Sequence, residues 1–262
     1  MTYCLGMLLR DGLVMVADTR TNAGVDHVAS FRKLRVWEEP GERVLILLSA
    51  GNLAITQAVV NELEDTVRWN DGDERTHPDA GPIMQVPGMT AAAKVVGEAI
   101  RAIHDRDAEA LREQGNDFAC SFLLAGQVRG GPMRLFQIYA AGNYIEATED
   151  TSFFQIGETK YGRPILDRVV DFETPLVDAA KCALVSFDST MRSNLSVGPP
   201  IDLCIYRRDS LASPVKRRLR ADDPYLVELR KHWGDGMRQL FHDLAPPPFV
   251  EGLLDLENSA GK

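Results

Sequence analysis

The 262-residue sequence predicts an α+β fold in which two blocks of strands make a sheet-on-sheet core with helices outside. Two patterns support this. Apolar runs of strand length open the chain and return in its middle. Segments with apolar residues at helical spacing follow each strand block.

The elements follow in order. Tyr3-Cys4-Leu5-Gly6-Met7-Leu8-Leu9 is an apolar run, and residues 2–9 read as a strand. Asp11-Gly12 is a two-residue hairpin signal, so residues 13–19 return antiparallel to it. Strands follow at 34–37 and 43–49, the second stopping at Gly51. Ile55, Val59, Leu63 and Val67 share one face of a helix over about residues 52–69. The polar, Pro/Gly-rich stretch from Asn70 to Gly88 reads as a loop. A second helix spans about residues 90–113, with Val95, Val96, Ala99, Ile100 and Ile103 inward and a charged tail from Asp105 to Glu113. Strands return at 117–126, 133–140, 143–147 and 153–156. A helix over 175–191 follows, with Leu176, Ala180, Leu184 and Phe187 on one face, and then a strand at 201–206. The tail carries an amphipathic helix from Tyr225 to His242, with Leu226, Leu229, Trp233, Met237 and Leu240 on one side, ended by Pro246-Pro247-Pro248.

Composition narrows the function classes. Net charge is −9 and the pI about 5.1, which argues against nonspecific nucleic-acid binding. Apolar residues make up 45%, an ordinary globular share. No apolar run reaches membrane-spanning length, and no charged-then-apolar signal segment precedes the first strand. A soluble cytoplasmic protein is expected. Cys4, Cys120, Cys182 and Cys204 are scattered through apolar stretches and read as reduced core residues, not a disulfide framework or a metal site.

The candidate chemistry begins at Thr2. A small residue at position two lets the initiator methionine be removed, leaving an α-amine beside the threonine hydroxyl. That amine can serve as the hydroxyl's general base. Its reference pKa is about 7.7–8.0, so much of it is neutral near physiological pH. Asp18 ends the second strand and the hairpin returns it toward Thr2. Lys33 lies in Phe31-Arg32-Lys33-Leu34-Arg35, where a third strand begins. A buried lysine beside an amino terminus lowers the neighbour's proton affinity, and an aspartate holds its ammonium in place. Gly51, after Ser49-Ala50, allows close backbone approach and can aim an N–H at a developing oxyanion. Each signal alone has a plain reading: a common start dipeptide, a structural salt bridge, a glycine before a helix.

Their order resembles the proteasome β-subunits and the bacterial HslV peptidase. The residues that carry the resemblance are Thr2, Asp18-x-Arg20-Thr21, Arg32-Lys33, Ser49-Ala50-Gly51, Phe154-Gln155-Ile156-Gly157 and Ser193-Asn194-Leu195-Ser196 through Asp202-Leu203. Within that group the chain is similar to the bacterial branch called Anbu, through Thr2-Tyr3-Cys4, Thr21 to Asp26, Phe31-Arg32-Lys33 and Gly157 to Gly162. The resemblance covers roughly residues 2–208. It implies a four-layer αββα sandwich of the N-terminal nucleophile hydrolase type, with residues 209–262 a helical extension and not an independent domain.

The resemblance also implies roles. Thr2 is the nucleophile, Lys33 lowers its proton affinity, Asp18 fixes Lys33, and Gly51 stabilises the oxyanion. Ser196, with Ser193 or Glu158, orients the amine. An extended substrate lies along Thr21, Ser49 and Gly51. The chain departs from the pattern in three places. The Asp18-to-Lys33 interval is one residue shorter. Ser193 stands where the supporting aspartate is usual, and Glu158 where a serine is common. Only Met1 is expected to be removed in maturation. No cofactor or metal is required. The expected partners are further copies of the chain, in a ring or an open helix, and a peptide or amide substrate. Whether an ATPase partner exists is left open.

Two other classes stay open on the sequence: a non-proteolytic amidase or amidotransferase of the same fold, and a ring scaffold with a vestigial site. Gly157 to Pro164 has P-loop glycine spacing but lacks the Lys-Ser/Thr pair and carries Pro164 where a donor is needed. His27, His77, His104, His232 and His242 have no metal-ligand spacing with the cysteines. The basic run Lys216-Arg217-Arg218-Leu219-Arg220 reads as a solvated or interface face. Asp188 reads as a surface or structural carboxylate.

Overall fold

The computed structural model describes residues 1–22, 28–64 and 82–250. In chain order it contains β1 (Tyr3–Leu9), β2 (Gly12–Asp18), β3 (Arg20–Asn22), β4 (Val28–Ser30), β5 (Leu34–Glu39), β6 (Arg43–Gly51) and α1 (Leu53–Glu64). Then follow α2 (Met89–Glu113), β7 (Cys120–Val128), β8 (Arg134–Ile138), β9 (Tyr144–Glu146), β10 (Phe153–Gly157), α3 (Arg163–Val169), α4 (Leu176–Ser193), β11 (Ile201–Arg207), β12 (Val215–Leu219) and α5 (Pro224–Asp243). The chain divides into two compact units, Met1–Ala221 and Asp222–Lys262. The expected helix over 52–69 is described as far as Glu64, and most of the expected loop at 70–88 lies outside the described residues.

The first unit is α+β, with two antiparallel five-stranded sheets and a small β3–β4 ribbon. The first sheet has the order β10-β1-β2-β11-β12 and the second β5-β6-β7-β8-β9. Every residue of β1 and β2 is buried, because both faces of that hairpin are covered. This explains why the two strands read as continuous apolar runs and not as alternation. One face joins the core between the sheets: Cys4, Met15 and Ala17 meet Ile46, Leu48, Leu123 and Ala125. The other face meets α4, where the Tyr3 ring stacks on Phe187 with centroids 4.3 Å apart. On the far side of the second sheet, Leu45, Leu47, Phe122 and Phe136 pack with Ile55, Val59 and Leu63 of α1 and Val96, Ile100 and Ile103 of α2.

Several expectations need adjusting. The turn between β1 and β2 is Arg10-Asp11, not Asp11-Gly12, since Gly12 already pairs with Leu9. Gly12 is a glycine for another reason: a Cβ there would come within 2.0 Å of the Tyr206 carbonyl oxygen on β11. The buried face of α4 includes Ala179, Ala183, Phe187 and Thr190, while Leu176 and Ala180 are only half-buried. Ser186 and Thr190 are fully buried there, each hydrogen-bonded to a backbone carbonyl, a placement apolar periodicity does not reveal. Asp188 is buried too, not a surface group. The Gly157–Pro164 stretch leads into α3, with Pro164 in its first turn. The basic run forms the exposed edge strand β12, where charged side chains suit an unpaired edge.

In the second unit, Asp223 caps α5 by accepting from the Tyr225 and Leu226 N–H groups, and Pro224 sits in the first turn. No described helix is long and apolar enough to cross a membrane.

Cys4, Cys120, Cys182 and Cys204 are free and buried. Burial pushes the Cys120 and Cys182 thiols up to about 11 and Cys204 up to about 12, and it raises Cys4 further. Their thiolates, the reactive forms, are therefore scarce at pH 8. Alkylation of the native protein at that pH should leave all four unlabelled over minutes, and denaturant should expose all four, as read by intact mass. Rapid labelling of any one in the folded protein would contradict this packing.

Candidate active site

Asp18 is the last residue of β2, and Lys33 immediately precedes β5. The two sheets bring these strand ends together. Asp18 is fully buried and Lys33 is 6% exposed. The Lys33 Nζ donates to Asp18 Oδ1 at 2.7 Å and to the Arg20 carbonyl at 2.6 Å. Asp18 Oδ1 also accepts the Tyr3 N–H at 3.0 Å, and Oδ2 accepts the Gly198 N–H at 3.4 Å. Burial pushes the Asp18 carboxyl up from its ordinary value, opposed by the Lys33 ammonium and these N–H groups. The pair thus ties the start of β1, the end of β2, the entry to β5 and the segment before β11 to one point.

Thr2 sits directly before β1. Its carbonyl accepts the Glu158 N–H at 2.6 Å, continuing the β1–β10 ladder past the Tyr3–Gly157 pair. Glu158 is buried, and its Oε2 accepts from Asn194 Nδ2 at 2.8 Å. Asn194 Oδ1 in turn accepts the Ser196 N–H at 2.9 Å. The order Thr2, Glu158, Asn194, Ser196 is therefore a continuous hydrogen-bonded path. Ser193 does not join it: it is exposed at the last position of α4.

Thr2, Thr21, Lys33, Ser49 and Gly51 line one cleft of ≈ 1010 Å³, with Asp18 behind Lys33. Gly51 ends β6 with φ +119°, and a Cβ there would stand 2.3 Å from the Ala119 carbonyl oxygen. Only glycine suits that backbone and that approach. The Thr21 hydroxyl is buried on the cleft wall with no hydrogen-bond partner among the described residues. Glu158, Ser193 and Ser196 do not line the cleft; Glu158 reaches it through the Thr2 backbone. Met1 precedes Thr2 at the cleft and is 61% exposed.

Sequence reasoning missed Asn194 as the bridge. Its signal was present: an Asn two residues before Ser196, just past a helix end, suits an Asx turn. It also missed Arg20, whose Nη1 donates to the Leu195 carbonyl at 2.6 Å and so holds the same loop. No residue pattern marks that long-range contact.

Comparison with known proteins adds relatives along nearly the whole chain. A structure of Anbu (ancestral beta-subunit) from Yersinia bercovieri matches with TM-score 0.83 at 46% identity, over 94% of this chain and 98% of its own. Anbu from Hyphomicrobium sp. strain MC1 matches with TM-score 0.82 at 48% identity, over 94% and 99%. A helical assembly of the Anbu complex from Pseudomonas aeruginosa matches with TM-score 0.86 at 48% identity, over 95% and 99%. No protein-family profile and no curated protein sequence matches the chain.

Removing one partner of the buried pair should be costly. Asp18→Ala leaves the Lys33 ammonium buried with the Arg20 carbonyl as its partner among the described residues, and urea unfolding should show a loss of about 3–5 kcal/mol. Adding Lys33→Met to that variant should recover part of the loss, since no buried charge remains. A single variant with unchanged stability would contradict the pair's structural role.

Proposed function

The chain belongs to the Anbu family of proteasome β-subunit relatives, and we propose that it is an N-terminal threonine hydrolase of amide or peptide bonds working inside a self-assembled homo-oligomer. The fold that fits this reading is the four-layer αββα sandwich of N-terminal nucleophile hydrolases. Two facing sheets with α1 and α2 outside one and α4 outside the other support it. The observation that carries the proposal is the buried Asp18–Lys33 pair behind the cleft that Thr2 and Gly51 also line.

The chemistry needs Met1 removed, so that Thr2 carries a free amine. An extended substrate lies along the backbone of Thr21, Ser49 and Gly51. The Thr2 amine takes the hydroxyl proton, directly or through one water. The Thr2 oxygen attacks the carbonyl carbon, and the negative charge moves to the carbonyl oxygen. The Gly51 N–H stabilises that oxyanion, an effect of roughly 10²–10³ in rate for a comparable donor. The Thr2 ammonium returns its proton to the leaving nitrogen as the C–N bond breaks, giving an ester on Thr2. Water then attacks the ester, with the amine again as base, and releases the acid. Lys33 favours the neutral amine through its charge. The Glu158 N–H holds the Thr2 carbonyl, Asn194 and Ser196 brace Glu158 from behind, and Ser193 stays outside that path. None of these steps requires a cofactor.

Self-assembly follows the helical Anbu complex of Pseudomonas aeruginosa. The second unit offers Met237, Leu240 and Phe241 as exposed apolar side chains on α5.

Intact mass should show the protein without Met1 and gaining one equivalent of a peptide epoxyketone, a reagent that needs both the amine and the hydroxyl of a terminal threonine. Thr2→Ala should take up none while melting like the wild type. Retained Met1 in the active protein, or equal uptake by Thr2→Ala, would contradict the mechanism. Light scattering should find an oligomer at micromolar concentration, and deletion of residues 222–262 should shrink or alter it. A full-length monomer would contradict the assembly, and an unchanged oligomer after deletion would contradict the role given to the second unit.

A further inference from the structure

The cleft that holds Thr2 is basic while the chain around it is acidic. Net charge is −9, yet Arg32, Lys33 and Arg35 line the cleft, and no Asp or Glu does among the described residues. Lys33 is committed to Asp18, which leaves the two arginines. Arg35 pairs with Leu47 in the β5–β6 register, and the Ser49 N–H donates to the Lys33 carbonyl one step further along the same ladder. Period-two alternation therefore sets Lys33, Arg35, Leu47 and Ser49 on one face of the sheet. Leu47 belongs to the core facing α1, so that face looks toward α1. There Leu47 and Val60 supply apolar wall. The Thr56 hydroxyl on the same wall is already turned to the Leu53 carbonyl. Among the described residues Arg35 has an ion pair with Glu64, at 3.9 Å, with the two side chains 42% and 40% exposed. A contact that long and that wet holds the guanidinium weakly. Arg32 is exposed at the rim; its charge reaches Asp202, which Arg218 already holds at 2.9 Å.

We propose that this slot selects a carboxylate side chain on the substrate residue whose carbonyl Thr2 attacks, with Arg35 as its partner and Arg32 adding to the attractive field. The selectivity rests on the threonine-hydrolase reading above. The apolar wall takes the methylenes of the substrate side chain. The planar guanidinium fork matches a carboxylate with two parallel N–H donors, which an amide or a methyl cannot equal. A basic cleft in an acidic molecule also concentrates anionic substrate at its mouth.

The test uses full-length protein with Thr2 as its first residue and four peptide epoxyketones differing only at the residue that bears the reactive ketone: Glu, Gln, Leu or Lys. Labelling of Thr2 is followed by mass. The Glu reagent should react at least about tenfold faster than its Gln isostere, with Lys slowest, and the advantage should shrink in high salt. Arg35→Gln should bring the Glu-to-Gln ratio to about one, Arg35→Lys should keep part of it, and Arg35→Glu should put the Lys reagent ahead. Equal rates for Glu and Gln on a labelled wild-type Thr2 would overturn the acidic selectivity and leave the hydrolase reading standing. No labelling by any reagent would overturn that reading and this one with it. Should an Arg35 variant fail to fold, the wild-type Glu-to-Gln ratio decides alone.

Discussion

A lysine ammonium at 6% exposure needs a charge partner and filled hydrogen bonds, and much of the first unit is arranged to supply them to Lys33. Asp18 provides the charge, and the Arg20 carbonyl takes a second donor. Asp18 in turn must be held, and the Tyr3 and Gly198 N–H groups do so from β1 and from the segment that enters β11. Four separated stretches of sequence converge on one pair. The residue before Tyr3 is Thr2, so the interaction that makes the buried charge tolerable also fixes the backbone from which the Thr2 side chain projects. A buried pair of this kind adds little net stability over an apolar replacement. Its value lies in placing an ammonium at a cleft that a hydrophobic core would otherwise close.

The outline of the fold was legible because its strands are long, apolar and punctuated. β1, β2 and β6 announce themselves as runs, and the stop at Gly51 coincides with a backbone conformation and a close approach that only glycine tolerates. The return of Asp18 to Thr2 was legible for the same reason, since a hairpin of known length returns its last residue to the start of its first strand, whereas its meeting with Lys33 was expected only through the family resemblance. What escaped the sequence was polar and long-range. The face of α4 was partly misplaced because Ser186 and Thr190, polar by type, are buried with their hydroxyls satisfied, Ser186 by the Tyr3 hydroxyl and the Gly162 carbonyl and Thr190 by the Ser186 carbonyl one turn back. The short strand β12 hid in a basic run, because edge strands on a wet face carry no apolar alternation. Ser193 was favoured by position in a motif, yet Asn194 beside it carries the contact to Glu158, which only the geometry of the helix end decides.

The cleft combines two features that rarely come from packing alone. It has the short strand β3, whose Thr21 hydroxyl has no partner among the described residues, and cationic walls whose described counter-charges lie elsewhere or hold loosely. The first suits an extended chain laid along the backbone. The second suits an anionic group at its side. The hydrogen-bonded path from Thr2 through Glu158 and Asn194 to Ser196 holds the Thr2 backbone from outside the cleft.

The central claim is that Lys33, held by Asp18, prepares Thr2 to attack. The most direct measurement is the second-order rate of Thr2 acylation by an epoxyketone in wild type and in Lys33→Met, both lacking Met1 and both checked for an unchanged fold by circular dichroism. The rate should fall by about a hundredfold or more, the scale of losing one preorganised electrostatic contact. A folded Lys33→Met protein that acylates at the wild-type rate would contradict it.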